Sequence, residues 1–225
     1  MLRRSAFRAV RGVDVLCLVV GSAAILVLVG WATGNRTLTA LSPDFVSMKA
    51  NTAVAFIISA AVLGIAARGA RARPVLAGGA VLVALMGAAN LFQDLTGILL
   101  GIDELLVEDV DSVGTSRPGG MAPTTALAFV LVGIALLGKV TLRRRALVDR
   151  IVTGCGGAVL VVAFVNLVGY LFGAPKLYGV AAYTQMAVHT AALFLLLAST
   201  LLLSHPRSVV PRTLLGTQPG SAISR

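Results

Sequence analysis

The residues of this chain that could do chemistry recur in one place. Residues 48–56 read Met-Lys-Ala-Asn-Thr-Ala-Val-Ala-Phe, 121–129 read Met-Ala-Pro-Thr-Thr-Ala-Leu-Ala-Phe, and 186–194 read Met-Ala-Val-His-Thr-Ala-Ala-Leu-Phe. The shared core is Met-x-x-[Asn/Thr/His]-Thr-Ala-x-x-Phe. Asn51, Thr124 and His189 occupy one motif position with three different chemistries, each followed by a threonine: Thr52, Thr125 and Thr190. Such a set can hydrogen-bond a polar ligand, and His189 can also take up a proton near neutral pH. Asp94 adds a carboxylate inside an apolar run, beside Gln93 and Asn90. Ionisable groups within spans are costly and often functional, so Asp94 is a candidate for gating, cation binding or pH sensing.

Little else points to catalysis. No GxGxxG after a strand, Walker A loop, Ser-His-Asp order or HExxH occurs, so no nucleophile–base pair is expected. Cys17 and Cys155 lie in apolar runs and read as small buried hydrophobes. With no CxxC and no Cys/His cluster, neither a metal nor a cofactor is expected. His189 and His205 stand about 24 Å apart along one helix at 1.5 Å per residue, too far to share a haem.

The elements that must position these residues are membrane helices. Of 225 residues, 57% are hydrophobic and 12% charged, and the mean hydropathy is +0.93. Soluble domains carry about 25% charged residues. Six segments have the length and apolarity of a span: 13–33, 50–67, 74–100, 124–140, 150–172 and 186–204. The first follows a basic start but is too long for a signal-peptide core, so it reads as an uncleaved helix.

The net charge of +10 does not call for nucleic acid, because the basic residues sit in short loops between spans. Of the 19 Lys and Arg, only Arg36, Lys49, Arg117 and Lys176 fall on one side. The positive-inside rule then places the amino terminus, the loops around Arg68–Arg73 and Arg143–Arg145, and the tail in the cytoplasm. Most acids, Asp103, Glu104, Glu108, Asp109 and Asp111, fall in the long outer loop. Trp31, Tyr170, Tyr178 and Tyr183 read as an outer aromatic belt. Asp14 and Asp149 read as inner caps or ion-pair partners. Gly154, Gly156 and Gly157 read as sites of close helix contact.

A repeat organises the whole. Asn90-Leu91…Leu95-x-Gly97 matches Asn166-Leu167…Leu171-x-Gly173 at the same spacing. The first unit keeps Leu28 and Gly34 but has Val27 for Asn, and Trp31 matches Tyr170. Each unit is helix, outer loop, motif, helix, over about 13–67, 74–140 and 150–204. The expected fold is all-α: one six-helix membrane domain over 1–206, built as three two-helix repeats in a pseudo-threefold bundle. Residues 207–225 read as a disordered cytoplasmic tail. The motif falls where inward-running helices begin. One reading makes Asn51, Thr52, Thr124, Thr125 and Thr190 helix caps, with Pro123 in a first turn. The other makes the three helix starts a convergent outward-facing cup for a ligand.

These stretches resemble the hydrophobic N-terminal sensor region of bacterial signalling proteins that carry PAS, histidine kinase or diguanylate cyclase (GGDEF) modules. The resemblance rests on Met48-Lys-Ala-Asn-Thr-Ala, Gly101-Ile-Asp-Glu-Leu-Leu and Gly120-Met-Ala-Pro-Thr-Thr-Ala-Leu-Ala-Phe. It continues in Val168-Gly-Tyr-Leu-Phe-Gly-Ala-Pro-Lys-Leu-Tyr-Gly179 and Met186-Ala-Val-His-Thr-Ala, covering roughly residues 13–206. It implies a non-catalytic input module in the bacterial inner membrane, dimeric, handing its state to cytoplasmic outputs through the last helix. No PAS, kinase or cyclase sequence follows His205-Pro206. The expectation is therefore a sensor acting on a kinase or cyclase partner, or the remnant of a broken gene. A small transporter or channel, or a structural subunit of a membrane complex, is the alternative. The Pro-x-acid-x-x-base motif of three-repeat mitochondrial-type carriers is absent.

Overall fold

The computed structural model describes residues 2–42, 45–69, 72–109, 117–173 and 185–204, with side chains from residue 12 onward. Seven helices are described: α1 Leu2–Thr33, α2 Arg36–Ala40, α3 Ala50–Ala67, α4 Arg73–Thr96, α5 Pro123–Thr141, α6 Arg145–Leu171 and α7 Val188–Leu203. Among the described residues there is no strand.

Five helices are long and apolar enough to cross a membrane: Gly12–Thr33 within α1, and α3, α4, α5 and α6. The chain is an all-helical, multi-pass membrane protein. The sixth expected segment, 186–204, forms the shorter helix α7 of 16 residues. At 1.5 Å per residue it is about 24 Å long, less than the roughly 30 Å hydrocarbon core. The third expected segment also shortens. Helix α4 stops at Thr96 because Gly97 takes a left-handed φ of 73° as C-cap. The short α2 was not foreseen. Asn35 caps it by accepting from the Thr37 and Leu38 amides.

Burial sorts the helices into two classes. The apolar windows of α3 and α5 are 56% buried, those of α1, α4 and α6 only 28%. Helices α3, α5 and α7 touch one another at the centre. The other three spans pack outside them as the pairs α1–α3, α4–α5 and α6–α7. Their outward side chains, Leu18, Leu85, Val161 and Phe164 among them, are exposed and suit contact with lipid.

At the centre Phe56, Phe129 and Phe194 are wholly buried. Their ring centroids stand 4.9, 4.6 and 4.8 Å apart, each ring tilted against the other two. Tilted aromatic contacts of this separation place positive ring edges against negative faces. The three phenylalanines close the three copies of the sequence motif.

Close backbone approach fixes α4 against α5. A Cβ on Gly87 would lie 2.4 Å from the Ala126 carbonyl oxygen, and one on Gly133 2.7 Å from the Ala84 nitrogen. Of the glycines expected to serve this purpose in α6, only Gly156 does, against Leu202. A Cβ on Gly154 or Gly157 would meet nothing within 4 Å, because those positions face away from α7.

Candidate functional site

The three motifs build the end of the bundle that carries the 97–122 loop, called the rim here. Each inner helix starts at the same motif position, at Ala50, Pro123 and Val188. The residues before them, Lys49, Ala122 and Ala187, are N-caps with nearly identical backbone angles: φ/ψ of −70/150°, −62/144° and −65/148°. None of the three caps its helix with a side-chain hydrogen bond. This corrects the capping reading. Asn51, Thr124 and His189 are the second residues of their helices, and Thr52, Thr125 and Thr190 the third, so none is an N-cap. Pro123 does stand in the first turn. Asp14 and Asp149 are not caps either, since both lie inside helices. Asp14 instead pairs with Arg68 at 3.1 Å.

The motif methionines, Met48, Met121 and Met186, are each 1% exposed. Their backbones are held by polar groups from the outer helix of the same hairpin. Trp31 donates its indole Nε1–H to the Met48 carbonyl at 2.8 Å. Tyr170 donates its hydroxyl to the Met186 carbonyl at 2.7 Å. In the middle hairpin the Met121 amide donates to Asn90 Oδ1 at 3.2 Å. Trp31 and Tyr170 are thus more than belt residues. Tyr178 and Tyr183 lie outside the described residues. Three helix ends also match: Gly34, Gly97 and Gly173 all take positive φ, at 66°, 73° and 57°.

Asn51 is buried and donates Nδ2 to the Gly119 carbonyl at 3.0 Å. Thr52 donates to Asn51 Oδ1 at 3.4 Å. Thr125 and Thr190 are buried, while Thr124 and His189 are half-buried. The His189 ring lies against the Thr39 backbone, yet neither ring nitrogen makes a hydrogen bond of full geometry. Asn51 and His189 therefore each meet the rim segment of another hairpin.

Asp94 stands apart from these motif residues, in an ionic cluster formed by the 97–122 loop. Arg117 Nη1 donates to Asp94 Oδ1 at 3.0 Å. Its Nε lies 2.7 Å from Asp103 Oδ2, as an ion pair off the hydrogen-bonding direction. Gln93, 1% exposed, donates Nε2 to both Asp103 oxygens at 3.1 Å and accepts the Leu100 amide at 2.6 Å. A further ion pair joins two hairpins. Lys49 Nζ donates to Asp109 Oδ2 at 2.7 Å, and both side chains are at most 3% exposed. The same oxygen accepts the Gly119 amide at 2.8 Å. Asp109 also donates its backbone amide to Glu104 Oε1 at 2.9 Å.

Burying a pair of charges costs several kcal/mol per ion, which the mutual attraction offsets only with good geometry and further hydrogen bonds. Asp103 and Asp109 have such further partners, while Asp94 Oδ2 is buried without one among the described residues. The arrangement holds charge in fixed places at the membrane edge.

Sequence reasoning named Asp94 but missed Lys49, Asp103, Asp109 and Arg117 as a cluster. The signal lay in the concentration of acids between 103 and 111, facing a few basic residues on the same side. Only the fold shows which acid meets which base. A comparison with known protein families, curated proteins and solved structures returns no match.

Proposed function

We propose that this chain is a membrane-embedded, non-catalytic input module of bacterial signal transduction. In this reading α7 is a sixth span, completed by the residues that flank it, and the three hairpins form a pseudo-threefold bundle in the inner membrane. The amino terminus and tail lie in the cytoplasm, and output passes through a kinase or cyclase partner or a lost output domain. The observation that carries the reading is the recurrence of one motif at three helix starts that share one geometry and meet at the Phe56–Phe129–Phe194 contact. It agrees with the resemblance to bacterial sensor regions.

The rim is the proposed receiving surface, with Asn51, Thr52, Thr124, Thr125, His189, Thr190 and Asp94 as the candidate residues in or beneath it. A signal there loosens or tightens the rim segments against the inner helices. The test compares Asn51→Ala, Thr124→Ala and His189→Ala with the parent chain in the native cell. Partner phosphorylation or cyclic dinucleotide level is the output. At least one variant should shift the output while expression and helix content stay normal. Parental output in all three would remove the rim as the receiver. A proteoliposome flux assay separates the sensor from a transporter.

A further inference from the structure

The opposite end of the bundle holds a site of different character. A cavity of about 580 Å³ opens there between α3, α4, α5 and α6, lined by Arg73, Lys139, Arg143 and Arg145, with Ala66 and Val148 among its apolar wall. Its volume is that of a small-molecule site. Among the described residues, none that lines it is acidic. Arg73, Arg143 and Arg145 have no ion pair among the described residues. Lys139 is half-buried and donates to the Ser204 carbonyl at 3.1 Å and to its hydroxyl at 2.9 Å, with no carboxylate partner.

Backbone adds to this field. Arg73 and Arg145 are the first residues of α4 and α6. The preceding N-caps, Ala72 and Arg144, make no side-chain cap hydrogen bond. Both helix starts therefore carry partial positive charge beside the cavity. Asp149 lies one turn along α6 from Arg145 and is the acid on the elements packed about the cavity nearest in sequence to its lining residues.

We infer that this cavity binds a phosphate-bearing anion, supplied by a phospholipid head group or by a soluble phosphate. The wall gathers four side-chain cations and, among the described residues, no carboxylate, so its field favours an anion. Planar guanidinium groups match phosphate oxygens in pairs. Basic pockets between membrane helices are suited to lipid head groups, and the apolar wall gives an acyl chain a place to start. Occupancy also reaches α7, because Lys139 would be shared between the anion and Ser204, the C-cap of that helix. The inference stands whether or not the chain signals.

The full chain in phosphatidylcholine nanodiscs would be titrated with phosphatidylglycerol in one arm and with inorganic phosphate in the other. Bound anion is read by native mass spectrometry and by the rise in melting temperature. The double variant Arg143→Gln/Arg145→Gln removes two exposed cations and should bind roughly twenty- to thirtyfold more weakly. Retained phosphatidylglycerol that inorganic phosphate does not displace identifies a lipid site. Saturable inorganic phosphate binding in phosphatidylcholine discs identifies a soluble one. Binding in neither arm, or equal binding by parent and variant, overturns the inference. Should the double variant fail to fold, Arg73→Gln carries the same comparison.

Discussion

Trp31 and Tyr170 make the same hydrogen bond with different chemistry. An indole N–H reaches the Met48 carbonyl at 2.8 Å, and a phenol O–H reaches the Met186 carbonyl at 2.7 Å. Both donors sit at one position of their outer helices, and both acceptors open the motif. In the middle hairpin that position is Asp94, which accepts and does not donate when ionised. There Asp94 binds Arg117, and Asn90 takes over the hold on Met121.

Removing the Tyr170 hydroxyl while keeping its ring isolates this bond. Tyr170→Phe should cost about 1 kcal/mol, rising toward about 3 kcal/mol if the Met186 carbonyl is left without a partner. Thermal unfolding in detergent measures it. Trp31→Phe should match Tyr170→Phe within about 1 kcal/mol beyond the loss of ring area.

The aromatic contact at the centre should behave as a unit. Phe56→Ala, Phe129→Ala and Phe194→Ala should each cost about 3–5 kcal/mol. Pairwise cycles should show coupling of about 0.5–1.5 kcal/mol for every pair. Strict additivity in chemical unfolding would deny that the three rings work together.

The Lys49–Asp109 pair makes an asymmetric prediction. Lys49→Met leaves a buried carboxylate and should cost about 3–5 kcal/mol. Lys49→Met combined with Asp109→Leu should recover much of that loss. The single variant should also free the 97–109 segment, read as faster amide exchange there.

Close packing of α4 on α5 forbids any side chain at two positions. Gly133→Val should destabilise by about 1–3 kcal/mol or more, since the clash is with backbone and cannot relax by rotamer change. Gly154→Val, with open space around its Cβ, should be near neutral. Melting temperatures of the two variants side by side make the check.

Much of the scaffold could be read from the chain. The apolar runs marked the spans because hydrocarbon excludes unpaired backbone groups. The recurrence of Met, Thr, Ala and Phe marked where inner helices begin, whereas Gly97, which ends α4, was read as lying inside a span that ran to residue 100. What could not be read was the function of the motif polar residues. Asn51 looked like a cap, yet its amide serves Gly119, a residue far along the chain. The Lys49–Asp109 bond was hidden for the same reason. Periodicity reports which face of a helix is apolar, but a contact between hairpins depends on how loops fold back over them. The helix expected over 186–204 forms over Val188–Leu203, starting two residues later because Ala187 takes the extended angles of an N-cap.

The three central rings constrain how the protein can deform. Phe56, Phe129 and Phe194 each touch both others, so no inner helix can slide or rotate alone without losing two contacts. The three rings therefore tie one helix of each hairpin to the other two at a single level of the bundle. A substitution at one ring is felt by all three hairpins through direct contact rather than through their loops.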